Sequence, residues 1–175
     1  MTDSPSRPPI KRTLAAIVGA AAASALLTVV PQFEGVVLVA RPDPVGVLTA
    51  CMGETKGIRP DQRFTLDECK AKLEPRLLGF AEAVDRCTPL ADRTPAQRVA
   101  IVDFAYNEGD GTYCRSSIAA NFRAGYVAAA CRSFNQAADG KPQYVTAGGK
   151  DGVTLPGLVK RRAKERAWCE GKETP

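Results

Sequence analysis

Residues 14–30 run for seventeen positions without a single charge, and Pro31 closes the stretch. A run of that kind has few homes: it lies in a lipid bilayer, or the rest of a folded chain covers it. The residues before it are polar and Pro-rich and end in Lys11-Arg12, a basic flank that orients an inserted helix with its N-terminus inside the cell. As a membrane span the run is weak. Ten of its seventeen residues are Ala, Gly, Ser or Thr, and its length is at the short limit for crossing a hydrocarbon core of about 30 Å. Four readings follow: a stable transmembrane anchor, a signal peptide cut at Ala23-Ser24-Ala25, an anchor that is inserted but not retained, and a core helix of a soluble domain. The small-residue composition favours the releasable anchor. On that basis residues 1–31 form a membrane-targeting signal-anchor segment and residues 32–175 one folded domain.

The chain contains no histidine. That excludes Ser-His-Asp and Cys-His nucleophiles and any zinc site built on imidazole, and with them most amidases and peptidases. The chemistry must rest on carboxylates, hydroxyls, amines or thiols, and no cofactor or metal is expected. The six cysteines, Cys51, Cys69, Cys87, Cys114, Cys131 and Cys169, are widely spaced and form no CxxC pair. In an exported chain an even set of this kind reads as disulfides, and spacing alone does not choose their pairing. The net charge of +5 suits an anionic partner: cell wall, membrane surface or nucleic acid. Apart from Lys160-Arg161-Arg162 the basic residues are scattered, so no nucleic-acid-binding stripe is present.

Past Pro31 the sequence places Glu34 among apolar neighbours, on a short helix that Pro31 is expected to open. Pro42-Asp43-Pro44 and Gly46 enforce turns, and Val47-Leu48-Thr49-Ala50-Cys51 is strand-like. A carboxyl in an apolar setting holds its proton to higher pH, whereas one on a wetter turn stays ionised. Glycoside hydrolysis needs that division between an acid for the leaving oxygen and a carboxylate facing the anomeric carbon. Glu34 and Asp43 fit the two roles, and the Thr49 hydroxyl can hold a water between them. By itself the pair is a weak signal, since two acids nine residues apart occur in almost any chain.

The wider pattern is more specific. Glu34-Gly35, Asp43-Pro44-Val45-Gly46 and Thr49, with eight and then five residues between the three members, resembles the Glu–Asp–Thr signature of phage-type lysozymes. Phe104-Ala105-Tyr106-Asn107-Glu108-Gly109 resembles that family's F-x-x-N-x-G helix end. Ala147-Gly148-Gly149-Lys150, then Leu155-Pro156-Gly157 through Arg161-Arg162, Glu165-Arg166 and Cys169, resembles its C-terminal helix. The resemblance implies a lysozyme-like α+β fold, mainly helical, with a small β-hairpin lobe and a cleft between lobes. It implies hydrolysis of the β-1,4 bond between N-acetylmuramic acid and N-acetylglucosamine in peptidoglycan, causing host lysis. Glu34 would be the general acid, with Asp43 and Thr49 positioning the water for inversion at the anomeric carbon. The sequence departs from the family at Arg41-Pro42, at Cys51-Met52-Gly53-Glu54 and at Tyr144-Val145-Thr146, where a Trp is usual. These positions shape the cleft and the hairpin.

The rest reads as scaffold. Thr65-Leu66-Asp67-Glu68 and Thr94-Pro95-Ala96-Gln97 are capping boxes opening amphipathic helices. Ser116 or Ser117 caps a further helix that stops near Gly125, and Pro156 begins the last one. Arg161 and Glu165, four apart, are expected to pair weakly on a solvated face, and Asn107 to cap its helix or line the cleft.

Only three residues separate the apolar run from Glu34. A segment held in the inner membrane would keep Glu34 at its surface and unseat its helix, as in the signal-arrest-release endolysins the chain resembles. The expected course is a monomer on the periplasmic face of the inner membrane, inactive until released into the periplasm. The competing readings are a secreted muramidase cut after Ala25, a peptidoglycan-binding module without catalysis, and a nucleic-acid binder supported only by basic charge.

Overall fold

The computed structural model describes residues 12–43, 46–147 and 152–175. In chain order it forms α1 (Leu14–Val18), α2 (Ala20–Glu34), β1 (Val37–Pro42), β2 (Leu48–Cys51), α3 (Leu66–Cys87), a 3-10 turn (Leu90–Asp92) and α4 (Pro95–Glu108). There follow α5 (Asp110–Arg115), α6 (Ser117–Arg123), α7 (Val127–Arg132), the short strands β3 (Thr146–Ala147) and β4 (Val153–Thr154), and α8 (Pro156–Cys169). The strands form two antiparallel pairs, β1–β2 and β3–β4. The expected α+β organisation, mainly helical with a small hairpin lobe, is what folds. Lys11, Pro44, Val45 and the run 148–150, all part of motifs read from the sequence, lie outside the described residues.

Local chemistry accounts for the helix starts. Thr65 Oγ1 accepts from the Glu68 amide at 3.2 Å, and Glu68 Oε2 accepts from the Thr65 amide at 2.7 Å. Thr94 and Gln97 repeat the exchange for α4, with Pro95 at the first helical position, where it has no bond to lose. Ser116, rather than Ser117, caps α6.

The centre of the molecule is α4, whose residues 99–106 are all buried. It packs against α2, α3, α5 and α8. Phe104 meets Tyr144, Phe134 and Tyr113 edge-on, with ring centroids 4.9, 5.7 and 6.2 Å away. Tyr144, which stands in the region where the family usually has Trp, therefore serves as a core ring.

The apolar run departs from the expected single helix. Gly19, with φ +84° and ψ 154°, splits it into α1 and α2, a backbone conformation open essentially to glycine alone. Arg98 of α4 closes the break: its Nη1 donates to the Val18 carbonyl at 3.0 Å, and its Nε to the carbonyls of Leu90 and Arg93. Leu14, Val18, Ala22, Ala23, Leu26, Val29 and Val30 form the buried stripe, spaced three and four apart as helix packing requires. Among the described residues no helix is long and apolar enough to cross a membrane.

Pro31 does not open a helix either. It lies inside α2, so the apolar run and the helix bearing Glu34 are one element. The missing amide costs a single bond in the last turns, and burial of Val29 and Val30 just before it holds the helix together. Gly35, at φ +71°, ends it by donating to the Pro31 carbonyl.

Three disulfides fasten the elements: Cys51–Cys69 joins the hairpin to α3, Cys87–Cys114 joins α3 to α5, and Cys131–Cys169 joins α7 to α8. Each closes a loop that spacing alone left unassigned, because pairing depends on which Cβ atoms the fold brings together.

Candidate active site

The hairpin sets out two of the three expected site residues. β1 and β2 pair with Arg41 opposite Thr49 and Pro42 opposite Leu48. Between the strands the Asp43 amide donates to the Val47 carbonyl and the Val47 amide to Asp43 Oδ1, both at 2.8 Å. The Asp43 carboxylate thus closes its own turn, as Asp commonly does. Thr49 Oγ1 donates to the Val47 carbonyl at 3.0 Å, which aims its hydroxyl toward the same turn. Asp43 and Thr49 line one groove of about 460 Å³ together with Val37, Arg41 and Pro42. Two departures from the family pattern, Arg41 and Pro42, are thereby walls of the groove itself.

The departures after Thr49 do something else. Cys51 is in a disulfide, and Met52 is buried with its carbonyl accepting from Tyr106 Oη at 2.8 Å and from Arg76 Nη1 at 3.0 Å. Those bonds tie the hairpin lobe to α4 and α3. Burial pushes the Tyr106 phenol up to about 12, so it remains a donor throughout the working range. Glu54 accepts from the amides of Thr55 and Lys56 and shapes the following turn.

Glu34 does not wall that groove; it ends α2, three residues before Val37, which does. Its surroundings also differ from the expected apolar setting. Arg161 Nη1 donates to Glu34 Oε1 at 2.6 Å, with the glutamate side chain 26% exposed and the arginine 4%. The guanidinium lies over the Phe33 ring, 4.9 Å from its centroid. Phe33 in turn meets Trp168 of α8 with centroids 6.1 Å apart. The last turn of α2 is therefore clamped on both its aromatic and its acidic side by α8.

Arg161 and Glu165 overturn the expectation of a weak pair on a solvated face, and Arg162 beside them is equally enclosed. Arg161 holds Asp103 of α4 bidentately, Nε to Oδ2 at 3.0 Å and Nη2 to Oδ1 at 2.8 Å. Arg162 donates to Glu165 at 2.7 Å and to Asn107 Oδ1 at 2.9 Å, so Asn107 receives a buried guanidinium. The C-cap of α4 is Gly109. Burial would lower the Arg161 group, but its bonds to Asp103 and Glu34 more than offset that and raise it. Burial pushes Glu165 well up, against the pull of Arg162 and with the help of Asp103. A signal for this network was present. Positions 161, 162 and 165 share the helical phase of buried Trp168 and Cys169, and Asp103 is a lone acid inside an apolar run.

A partly exposed glutamate at a helix end, an arginine holding it from beneath, and an Asp–Thr pair in the adjoining groove are all on α2, α8 and the β1–β2 hairpin. The family model for phage lysozyme matches residues 31–165, covering the last turn of α2 with Glu34, the whole hairpin and most of α8. The chain belongs to the phage lysozyme family. It is similar to a SAR-endolysin of Bacteriophage PS119, 34% identical over 137 residues, 78% of this chain and 75% of the relative. A SAR-endolysin of Enterobacteria phage PA-2 is 31% identical over 169 residues, 93% of this chain and 96% of the relative. An overlap of that length takes in the apolar run. Among solved structures, the muramidase domain of SpmX from Asticaccaulis excentricus superposes with a TM-score of 0.71 at 27% identity, covering 86% of this chain and 96% of that one. This phage lysozyme is thus a glycan-cleaving hydrolase of the endolysin type, with peptidoglycan as its substrate.

Proposed function

We propose that this lysozyme cuts the β-1,4 bond between N-acetylmuramic acid and N-acetylglucosamine, with Glu34 as general acid and Asp43 and Thr49 placing the attacking water. The observation that carries this reading is the split between two carboxylates. Glu34 sits at a packed helix end beside the groove, whereas Asp43 sits in the groove wall, next to a hydroxyl. Protonation of the leaving oxygen by Glu34 and approach of a water held by Asp43 and Thr49 is the division of labour that inverting hydrolysis uses.

The N-terminal segment is, on this reading, a releasable anchor, and the described conformation is its released state. Two features support it. The relatives above are SAR-endolysins by name. Within this chain, the same helix that would lie in the bilayer ends in Glu34, so a chain held by residues 14–30 cannot seat its acid against Arg161. Cleavage after Ala25 fits less well, because it would remove Leu14, Val18, Ala22 and Ala23 from the core. The site of action is then the periplasm, after release of the uncut monomer.

The test is clearing of purified peptidoglycan by the full-length protein beside Glu34→Gln, with the new ends identified. The glutamine keeps the size of the side chain but has no proton to give. The wild type should leave muramic-acid reducing ends and the variant should fall by roughly a hundredfold or more. Equal clearing by both would remove Glu34 from the mechanism.

A further inference from the structure

An arginine bonded to a general acid poses a chemical difficulty. A cation within hydrogen-bond distance favours the ionised carboxylate, yet the acid must carry a proton into the reaction. The charge beneath Glu34 resolves this. Arg161 has already committed two of its three donor nitrogens to Asp103, which is fully buried and sits on a different helix. Only Nη1 is turned to Glu34. In a dry site a bidentate carboxylate offsets most of the guanidinium's field, so what reaches Glu34 is mainly a directed hydrogen bond.

We propose that Asp103 is a positioning residue of the lysozyme reaction: by neutralising Arg161 it lets that arginine orient Glu34 without stripping the acid of its proton. The proposal rests on Glu34 being the general acid. The other charged and titratable groups around Glu34 are accounted for as follows. On α8, Arg162 is bonded to Glu165, Asn107 and Glu108. Glu165, also 3.8 Å from Arg161, is fully buried; burial pushes its carboxyl well up, Arg162 pulls it down, and the neighbouring Asp103 carboxylate pushes it up again. On α4, Tyr106 stays a neutral phenol. Arg76 of α3 is bonded to Met52, and Glu54 and Asp43 of the hairpin lobe close their own turns. Asp103, held through two nitrogens at 3.0 and 2.8 Å, is the principal countercharge of Arg161. Phe33 assists from the other side, stacked under the same guanidinium.

Asp103→Asn tests this, since it keeps the side chain's size and one acceptor but removes the charge. Arg161 would then keep Glu34 as the carboxylate within direct hydrogen-bond distance, with Glu165 farther off at 3.8 Å, and favour its ionised form. The alkaline limb of the kcat/KM profile should move acidward by about one unit or more, with activity at neutral pH down roughly tenfold and partly regained at lower pH. Removing both charges, in Asp103→Asn/Arg161→Gln, should bring the limb back toward its original position while the folded protein loses some activity from the lost orientation. A merely structural Asp103 would lower the melting temperature and leave the limb where it was, and that outcome overturns the proposal. If the single variant does not fold, carboxyl carbon titration of the wild type decides. Asp103 should stay ionised throughout the active range while Glu34 titrates with the alkaline limb; Asp103 titrating there instead sinks the idea. Loss of activity in Glu34→Gln with an unmoved limb in folded Asp103→Asn would defeat this inference alone. A fully active Glu34→Gln would defeat the catalytic reading beneath it.

Discussion

The α1–α2 pair and α4 lie against each other in the core and are built on opposite terms. α4 is buried on all sides through residues 99–106 and brings bulky groups, Val99, Ile101, Val102, Phe104 and Tyr106, together with the charged Asp103. α1–α2 buries a single stripe and turns Ala15, Ala16, Ala20, Ala21, Ser24 and Thr28 to solvent. A helix like α4 has no other place to be: its acid would be costly in a bilayer and its apolar rings costly in water. The α1–α2 run is uncharged throughout, yet only its bulky stripe is covered by the rest of the fold. The fold then gains a helix with one face of large side chains and one that water tolerates. The contrast teaches that an uncharged run can stand half exposed in a folded protein when its bulky residues are confined to one stripe.

The comparison can be broken at three points. The largest effect belongs to α4. Phe104→Ala should cost about 3–5 kcal/mol of stability, read as a drop in the urea midpoint, because four groups pack on that buried ring. A loss below about 1 kcal/mol would mean that α4 is not the rigid partner. The second point is the break in the N-terminal run. Gly19→Ala should destabilise the released fold by about 1–3 kcal/mol, since φ +84° is strained for alanine and its Cβ would meet Arg98 Nη1 at 3.2 Å. The same change favours a continuous helix, so the membrane-bound fraction should rise. Unchanged stability and partition would show that Gly19 is not the hinge between the two states.

The smallest effect on stability is the most telling for function. Leucines at the exposed Ala16 and Ala20 should leave the released fold within about 0.5 kcal/mol yet hold more of the chain in the membrane, as fractionation would show. Murein degradation should fall in proportion to the retained fraction. A tethered form that cleared murein as fast as the free one would end the idea that release assembles the site.

How much of this was legible beforehand depends on the range of the interactions. The capping boxes at Thr65 and Thr94 were readable because their bonds close within three residues. The sharing of one groove by Asp43 and Thr49 was readable because the hairpin that carries both is local, whereas the place of Glu34 under Arg161 was not, because it depends on a contact 127 residues along the chain. Arg161 and Glu165 were misplaced on a solvated face because an i,i+4 charge pair looks the same wherever the helix lies. The continuity of α2 through Pro31 was missed because a proline's local preference for a helix start was outweighed by packing of the residues around it.

The sequence by itself determined the family, through the order of motifs along the chain, and the helix starts set by the capping boxes at Thr65 and Thr94. The tertiary structure alone decided which cysteines pair, where the apolar run breaks and rests, and what stands under Glu34. The reason is physical. Short-range hydrogen bonds and steric limits on φ and ψ act within a few residues, whereas burial of a charge depends on what another helix offers it. For Arg161 that offer is Asp103, fifty-eight residues away along the chain.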